Sequence, residues 1–194
     1  IVRDQLLNKD LGPGADIDLT TDATPAQIKA ALGPIADALW TQGERFGTIG
    51  VKVGDRVFEI TTHRAESYAP DSRKPEVAFG TDVRDDLARR DFTVNAMALE
   101  LPEPVLVDPF DGAADLAANR LRTPLAPEVS FTDDPLRMLR AARFIAGYGL
   151  EPDPELVAAV RANAHRLEIV SAERIRDELD KLLVVPDPSA GLWF

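Results

Sequence analysis

Alternating hydrophobic and polar residues in the first half of the chain predict a β-hairpin. Apolar residues occupy every second position of its first strand, at Ile49, Val51 and Val53. Gly54-Asp55 supplies a two-residue turn, and the second strand returns over residues 57–61. If Phe58 and Ile60 face the core, Glu59 must face the open side of the sheet, because successive side chains of a strand point to opposite faces.

Helical spacing predicts elements at both ends of the first half. Residues 1–7 have the pattern of a helix already under way without an N-cap, so we expect residues before Ile1. We expect residues after Phe194 as well, because the last five residues are apolar and uncapped. Thr24-Pro25-Ala26-Gln27 predicts a capping box and a helix that ends at Gly33-Pro34.

The middle of the chain gives weaker signals. Residues 65–80 are polar and contain prolines, and we expect a long mobile loop there. A helix is predicted over residues 85–90, a strand over 105–107, and a linker around Pro124 and Pro127. The last third is predicted to be helical.

One helix of the last third combines a cap with an arginine stripe. Asp134 and Pro135 suit the N-cap and the first turn, and capping alone is a sufficient explanation for the acids Asp133 and Asp134. At about 100° per residue, three arginines share one side of this helix, and apolar residues cover the other. Such arginines repel one another unless anions are near, so we expect a phosphate-rich ligand for Arg137, Arg140 and Arg143.

Composition and charge exclude several classes of protein. The 194 residues are 45% hydrophobic and 28% charged, which is typical of one large or two small globular domains. No signal peptide and no apolar run near 18 residues is present, so we expect no membrane span. The absence of cysteine excludes disulfides and thiolate chemistry and is consistent with a cytoplasmic protein. Two histidines argue against a zinc site, and the net charge of −11 argues against a generally basic surface.

The candidate chemistry is acidic and lies near the predicted sheet. Asp16 and Asp18 are two residues apart in an extended segment, so both carboxylates project from one face, where they can bind Mg²⁺. The alternative is that these acids stabilise a turn, and Glu59 taken alone is better explained as an exposed strand residue. On a helix, Asp91 and Asn95 share a face and can contact a sugar hydroxyl, although a helix that carries only a surface Arg-Asp pair is the alternative.

Taken together and in order, eight motifs resemble class II tRNA nucleotidyltransferases, the CCA-adding enzymes. These enzymes belong to the polymerase-β-type nucleotidyltransferase superfamily, as do bacterial poly(A) polymerases. The motifs are Val2-Arg3-Asp4, Asp16-Ile17-Asp18-Leu19, Phe46-Gly47-Thr48, Glu59-Ile60-Thr61-Thr62, Arg89-Arg90-Asp91-Phe92-Thr93-Val94-Asn95-Ala96-Met97-Ala98, Asp108-Pro109-Phe110-Asp111-Gly112, Asp133-Asp134-Pro135-Leu136-Arg137-Met138-Leu139-Arg140-Ala141-Ala142-Arg143-Phe144 and Glu173-Arg174-Ile175-Arg176-Asp177-Glu178-Leu179.

The resemblance implies an α+β fold, with a nucleotidyltransferase head and small mixed sheet over residues 1–130 and an all-helical neck over 131–194. It also assigns roles to single positions. The metal-binding and catalytic carboxylates would be Asp16 and Asp18, which hold two Mg²⁺ ions, and Glu59, which helps activate the primer hydroxyl. The residues for the triphosphate and the ribose would be Arg3, Arg90, Asp91 and Asn95. The residues for the base edge and the phosphates would be Asp133, Asp134, Arg137, Arg140 and Arg143.

The activity implied is template-independent addition of CCA to the 3′ end of tRNA, with CTP and ATP as substrates. A bacterial poly(A) polymerase is the alternative within the family, although Arg45-Phe46-Gly47-Thr48-Ile49 is closer to the CCA-adding form. A non-catalytic RNA-binding helical module is the alternative outside it. Two features bear on the family pattern: the sequence begins after the position where the family usually has a Gly-Gly or Gly-Ser pair, and Asp133 stands where glutamate is usual. We expect this chain to bind nucleotide but to bind tRNA poorly.

Overall fold

The computed structural model describes residues 1–9, 12, 17–67 and 76–194, which form two compact units, Ile1–Leu87 and Ala88–Phe194. The first unit contains strands and helices in the order α1 Val2–Leu6, β1 Ile17–Thr21, α2 Pro25–Leu32, β2 Ala38–Trp40, β3 Thr48–Val53, β4 Arg56–Thr62, β5 Arg64–Ser67, β6 Glu76–Phe79 and α3 Val83–Ala88. The division into a head at 1–130 and a neck at 131–194 stays a prediction.

The main sheet of the first unit is small and mixed, as expected. Its strand order is β1-β4-β3-β2, with β1 parallel to β4 and the other neighbours antiparallel. The predicted hairpin is confirmed as β3 and β4, which are joined at Gly54 with a φ of 59°. Glycine suits this turn because a left-handed φ costs it no steric strain.

One face of this sheet is covered by α2. The predicted capping box is present, since the Thr24 backbone N–H donates to Gln27 Oε1 at 2.8 Å and the Gln27 backbone N–H donates back to Thr24 Oγ1. The helix ends at Leu32, before Gly33, as predicted. Its buried Ile28 packs against Ile49, Val51 and Ile60 of the sheet. The apolar residues of β3 and β4 therefore face α2, and the intervening residues occupy the opposite face.

The second unit is mainly helical. After α3, its elements are β7 Ala98–Glu100, β8 Val105–Val107, α4 Gly112–Ala117, β9 Arg120–Leu121, α5 Pro127–Asp133, α6 Leu136–Tyr148, β10 Glu151–Pro152, α7 Pro154–Asn163, α8 Ala172–Leu183 and α9 Ser189–Trp193. Phe92, Phe131, Phe144, Leu121 and Leu156 are fully buried members of its core. None of the helices in the described part of the chain is both long enough and apolar enough to span a membrane.

Two expectations about the connecting segments are corrected. The segment around Pro127 is not a linker, because Pro127 occupies the first turn of α5, where its missing N–H is not needed. Residues 65–80 are not wholly loop, since β5 and β6 pair there as an antiparallel hairpin. The polar composition of this segment gave no signal for the short strands β5 and β6. Residues 68–75 lie outside the described residues, so the predicted mobility stays a prediction.

Candidate active site

The candidate catalytic carboxylates Asp18 and Glu59 are neighbours on the first unit's sheet. Asp18 lies on β1 and is paired in register with Glu59 on β4. Residues paired across neighbouring strands project from the same face, and the strands lie about 4.8 Å apart. Both side chains are exposed, on the face opposite to the apolar core. The predicted meeting of Glu59 with the acids of β1 is therefore present for Asp18.

These two carboxylates have the chemistry of a hard-cation site. Among the described residues, neither Asp18 nor Glu59 has a hydrogen bond or an ion pair, so no arginine or lysine there compensates their charge. Two adjacent carboxylates without a counter-cation fit the oxygen-ligand preference of Mg²⁺. No group of three metal-binding residues occurs within the described ranges, and Asp16, the third predicted carboxylate, lies outside them.

Polar residues continue on the same face of the sheet beside the carboxylates. Thr20, Thr61 and Thr48 form the next row across β1, β4 and β3. The hydroxyls of Thr48 and Thr61 are 3.0 Å apart and share a hydrogen bond. The open face is thus polar over two rows, whereas the covered face is apolar. This asymmetry keeps the Asp18 carboxylate in contact with solvent.

In the second unit, Asp91 is buried among donors. Its Oδ1 accepts hydrogen bonds from Asn95 Nδ2 at 2.9 Å and from the Phe92 backbone N–H at 2.8 Å. Its Oδ2 accepts from Arg140 Nε at 2.9 Å and also from Arg140 Nη2. Asp91 and Asn95 are in contact as predicted, but not on an α-helix, because Asn95 ends a single 3₁₀ turn, Thr93–Asn95, that begins after Asp91.

The surroundings of Asp91 set the charge state of this pair. Burial raises the pKa of the Asp91 carboxyl, whereas Arg140, the Asn95 amide and the Phe92 N–H lower it. The lowering contributions are larger together, so the pKa of Asp91 lies below its ordinary value. Burial lowers the pKa of Arg140, but Asp91 and Glu178 raise it above its ordinary value. Both partners are therefore charged at neutral pH.

The expected base-reading residues, Asp134 and Arg137, lie at the start of α6. Arg137 donates from Nη1 to Ser130 Oγ at 2.8 Å and from Nη2 to the Arg89 carbonyl at 2.5 Å. Asp134 Oδ1 accepts from the Leu136 N–H at 3.2 Å, but the predicted N-cap position is wrong by one residue, because the N-cap of α6 is Pro135 and Asp134 is the C-cap of the preceding helix. Its Oδ2 accepts from Arg174 Nη2 at 2.9 Å. Both side chains are thus fixed by the protein.

Arg174 is a supporting residue that the sequence did not assign. It lies on α8, 40 positions after Asp134, so no local spacing relates the two. The available signal was its place in the Glu173-Arg174-Ile175-Arg176 motif, which carried no predicted role. By holding one carboxylate oxygen, Arg174 restricts the rotation of the Asp134 side chain.

The arginine stripe of α6 is present, but its anionic partners belong to the protein. Arg140 pairs with Asp91, and Arg143 pairs with Glu178, which is only 3% exposed. Carboxylates 49 and 35 positions away thus offset the charges of Arg140 and Arg143, so the repulsion between these two arginines does not itself require an external anion. That Arg140 and Arg143 also contact a nucleotide stays a prediction.

The remaining predicted residues occupy the ends of helices. Arg3 lies on α1 and forms an ion pair of 2.9 Å with Asp4. Arg90 follows α3, and Asp133 is the last residue of α5. Both are partly buried. Their predicted roles toward the triphosphate, the ribose and the base stay predictions.

Two family models match the chain. The one described as "Poly A polymerase head domain" covers residues 1–122. The one described as "Probable RNA and SrmB-binding site of polymerase A" covers residues 149–192.

Curated proteins and solved structures are similar over nearly the whole chain. CCA-adding enzymes of Leuconostoc citreum and Bacillus pumilus are 41% and 39% identical, over 94% of this chain and 44% of each relative. The crystal structure of the Bacillus stearothermophilus CCA-adding enzyme in complex with CTP has a TM-score of 0.85 and 34% identity, covering 98% of this chain and 44% of that one. The Thermotoga maritima CCA-adding enzyme complexed with tRNA-CCA has a TM-score of 0.77 and 27% identity, covering 98% and 43%. The chain spans less than half the length of these relatives.

We predict that Asp91→Asn destabilises the protein in a pH-dependent way. Losing the charge opposite Arg140 should lower the free energy of unfolding by roughly 2 kcal/mol at pH 7, less than for a fully buried pair because Arg140 keeps some solvent contact. The pKa of Asp91 is lower in the folded protein than in the unfolded chain. Its contribution to the free energy of unfolding is therefore fully present above the unfolded pKa of about 3.9, and it is lost as the pH falls through the folded pKa. Urea unfolding of both proteins between pH 7 and pH 2.5 measures this difference.

The matched control is Asp177→Asn. Asp177 is 52% exposed and pairs with Arg176 at 3.0 Å. Its replacement should change the free energy of unfolding by less than about 1 kcal/mol. A difference between the wild type and Asp91→Asn that stays constant into the acid range would contradict the proposed ionisation of Asp91.

Proposed function

Because the chain belongs to the poly(A) polymerase head-domain family, we propose that it supplies the nucleotide-transferring part of a CCA-adding enzyme. Such an enzyme extends the 3′ end of tRNA with CMP and AMP from CTP and ATP and releases pyrophosphate. The observation that carries the proposal is the in-register pairing of Asp18 with Glu59 on the open face of the sheet. The curated CCA-adding enzymes at about 40% identity support this substrate choice.

The carboxylates have distinct tasks in this proposal. Asp16 and Asp18 would hold two Mg²⁺ ions, which in such sites lower the pKa of an attacking hydroxyl and stabilise a leaving pyrophosphate. Glu59, adjacent to Asp18, orients the terminal ribose hydroxyl of the RNA and accepts its hydrogen bond. That hydroxyl attacks the α-phosphate in line and releases its proton to solvent, a new phosphodiester bond forms, and the bond to pyrophosphate breaks. No covalent enzyme intermediate is needed.

Asp134 and Arg137 would select the incoming base without a nucleic-acid template. A carboxylate accepts hydrogen bonds, and a guanidinium donates up to five, so together they can pair with the Watson-Crick edge of cytosine or adenine. Both are held by protein contacts, Asp134 by Arg174 and Arg137 by Ser130. Fixed orientation favours selectivity because little conformational entropy is lost on binding.

The rest of the nucleotide would be held by cations and amides. Arg3 contacts the triphosphate, and Arg90 and Asn95 contact the ribose together with Asp91. Arg140 and Arg143 would contact the phosphates, and Asp133 would support Asp134. Because both oxygens of Asp91 accept bonds from the protein, its contribution to ribose binding would use remaining lone pairs. A cytoplasmic location follows from the tRNA substrate and belongs to the same proposal.

A poly(A) polymerase is the second candidate, favoured by the description of the family model. The two functions differ in their products. The complete gene product containing this chain, given Mg²⁺ and a tRNA transcript that lacks CCA, should add two C residues from CTP alone. With CTP and ATP it should add C, C and A and then stop. Long A tails from ATP alone would instead identify a poly(A) polymerase.

We predict that Asp18→Asn and Glu59→Gln each lower kcat for nucleotide addition by at least about a hundredfold, beyond the 10- to 100-fold typical of residues that only orient metal ligands. The midpoint temperature of thermal unfolding should be unchanged or slightly higher, because one of two facing like charges is removed. Single-turnover incorporation of labelled CMP measures the loss.

The matched control is Asp55→Asn, which removes an exposed carboxylate from the turn between β3 and β4. It should leave kcat within about twofold, since single surface substitutions rarely matter. Full activity of Asp18→Asn would refute the catalytic assignment and leave the acids as ordinary surface residues.

A further inference from the structure

A tryptophan shares the open face of the sheet with the catalytic carboxylates. Trp40 on β2 pairs with Gly50 on β3, Gly50 pairs with Glu59, and Glu59 pairs with Asp18. These four residues form one row across the four strands. Because paired residues project from the same face, Trp40 lies on the same side of the sheet as Glu59 and Asp18.

The indole of Trp40 lies over Gly50. A Cβ built on Gly50 would be 2.0 Å from both Cε2 and Nε1 of Trp40, and 2.6 Å from Cζ2. Such distances are far below any contact that real atoms make, so only glycine leaves room for the ring here. Glu59 is the next residue of the row, one strand spacing or about 4.8 Å beyond Gly50. The absence of a side chain at Gly50 therefore allows the ring to extend toward Glu59.

Trp40 is not a core residue. Its neighbour Leu39 packs against the apolar cluster on the other face, and Trp40 does not. Trp40 is only partly buried, and its Nε1 forms no hydrogen bond within the described residues. A large apolar ring on the polar, acidic face of a sheet leaves aromatic surface beside carboxylates. A partner with a π-face and a hydroxyl group would complement both the indole and the carboxylates.

We propose that Trp40 is a stacking platform for the 3′-terminal base of the RNA substrate, and this rests on the proposed function. The base would stack on the indole while the ribose hydroxyl of the same nucleotide reaches Glu59. Stacking is tolerant of base identity, because every base has a π-face. This tolerance suits an RNA end that changes after each addition. The incoming nucleotide is not the expected occupant, because its base is assigned to Asp134 and Arg137.

The test compares Trp40→Leu with Trp40→Phe in the complete gene product. Leucine keeps apolar volume over Gly50 but cannot stack, whereas phenylalanine can. Trp40→Leu should raise the Kd for tRNA lacking CCA, measured by filter binding without divalent metal, by roughly tenfold or more, as expected for loss of one stacked base. The KM for that tRNA should rise similarly, and the KM for CTP should stay within about twofold. Trp40→Phe should restore most of the RNA affinity.

A modified RNA gives a second readout that does not depend on a variant's folding. Its terminal residue lacks the base but keeps both ribose hydroxyls. The wild type should bind this RNA roughly tenfold more weakly than the intact one. Trp40→Leu should bind both RNAs equally, because the stacking contact is already lost. If Trp40→Leu fails to fold, the test of the stacking contact is the ratio of the Kd values for the base-free and the intact RNA, measured with the wild type and with Trp40→Phe.

The matched control is Trp193→Leu, since Trp193 is 90% exposed, and it should leave discrimination between the two RNAs unchanged. Equal binding of intact and base-free ends by the wild type would overturn the proposal. So would an equal rise in the KM values for RNA and CTP in Trp40→Leu. These results differ from a failure of the proposed function, in which the wild type itself would incorporate neither CMP nor AMP.

Discussion

The arrangement depends on a repulsive contact, the in-register pairing of Asp18 with Glu59 across parallel strands. Like charges directly opposite each other destabilise a sheet, and no cationic side chain in the described part of the chain offsets this pair. The register is nevertheless fixed, because a shift of one residue would move Ile60 from the core to the open face. The hydrophobic core of the first unit thus forces the two acids together, and a cation is the natural compensation.

In contrast to the exposed acid pair of the first unit, the buried carboxylates of the second unit are compensated by cationic side chains. Its buried carboxylates Asp91 and Glu178 are each paired with an arginine of α6. Buried hydrogen-bonded pairs of this kind fix the positions of their side chains. Asp134 is similarly restrained by Arg174. The proposed selection of a base without a template would be favoured by such fixed donors and acceptors, and the proposed metal binding would be favoured by uncompensated acids.

Elements with local signals were predictable, and contacts between distant residues were not. The capping box at Thr24 and the hairpin turn at Gly54 lie within four residues of their partners, so the sequence displays them directly. The partners of Arg140 and Arg143 are 49 and 35 positions away, so helical spacing showed the stripe but not its neutralisation. The platform of Trp40 was missed because it depends on the absence of a side chain at Gly50, on another strand.

The contact between Asp91 and Asn95 shows how a prediction can be correct for the wrong structural reason. Spacing of four residues suggested a helix face, but the bond forms across a 3₁₀ turn instead. The two short strands β5 and β6 were obscured by polar residues and prolines nearby. Family resemblance supplied the predicted roles of the carboxylates, whereas the register of β1 against β4 gave the physical basis for the proximity of Asp18 and Glu59.

The most direct test of the account is the stability of the wild type, Asp18→Asn, Glu59→Gln and the double variant, measured by urea unfolding with chelator and with excess Mg²⁺. We predict that each single variant equals or exceeds the wild type without metal, because the repulsion of about 0.2–1 kcal/mol is relieved. Mg²⁺ should then stabilise the wild type more than any variant, since only the wild type retains both carboxylates. Equal effects of Mg²⁺ on all four proteins would contradict the claim that this pair binds a cation.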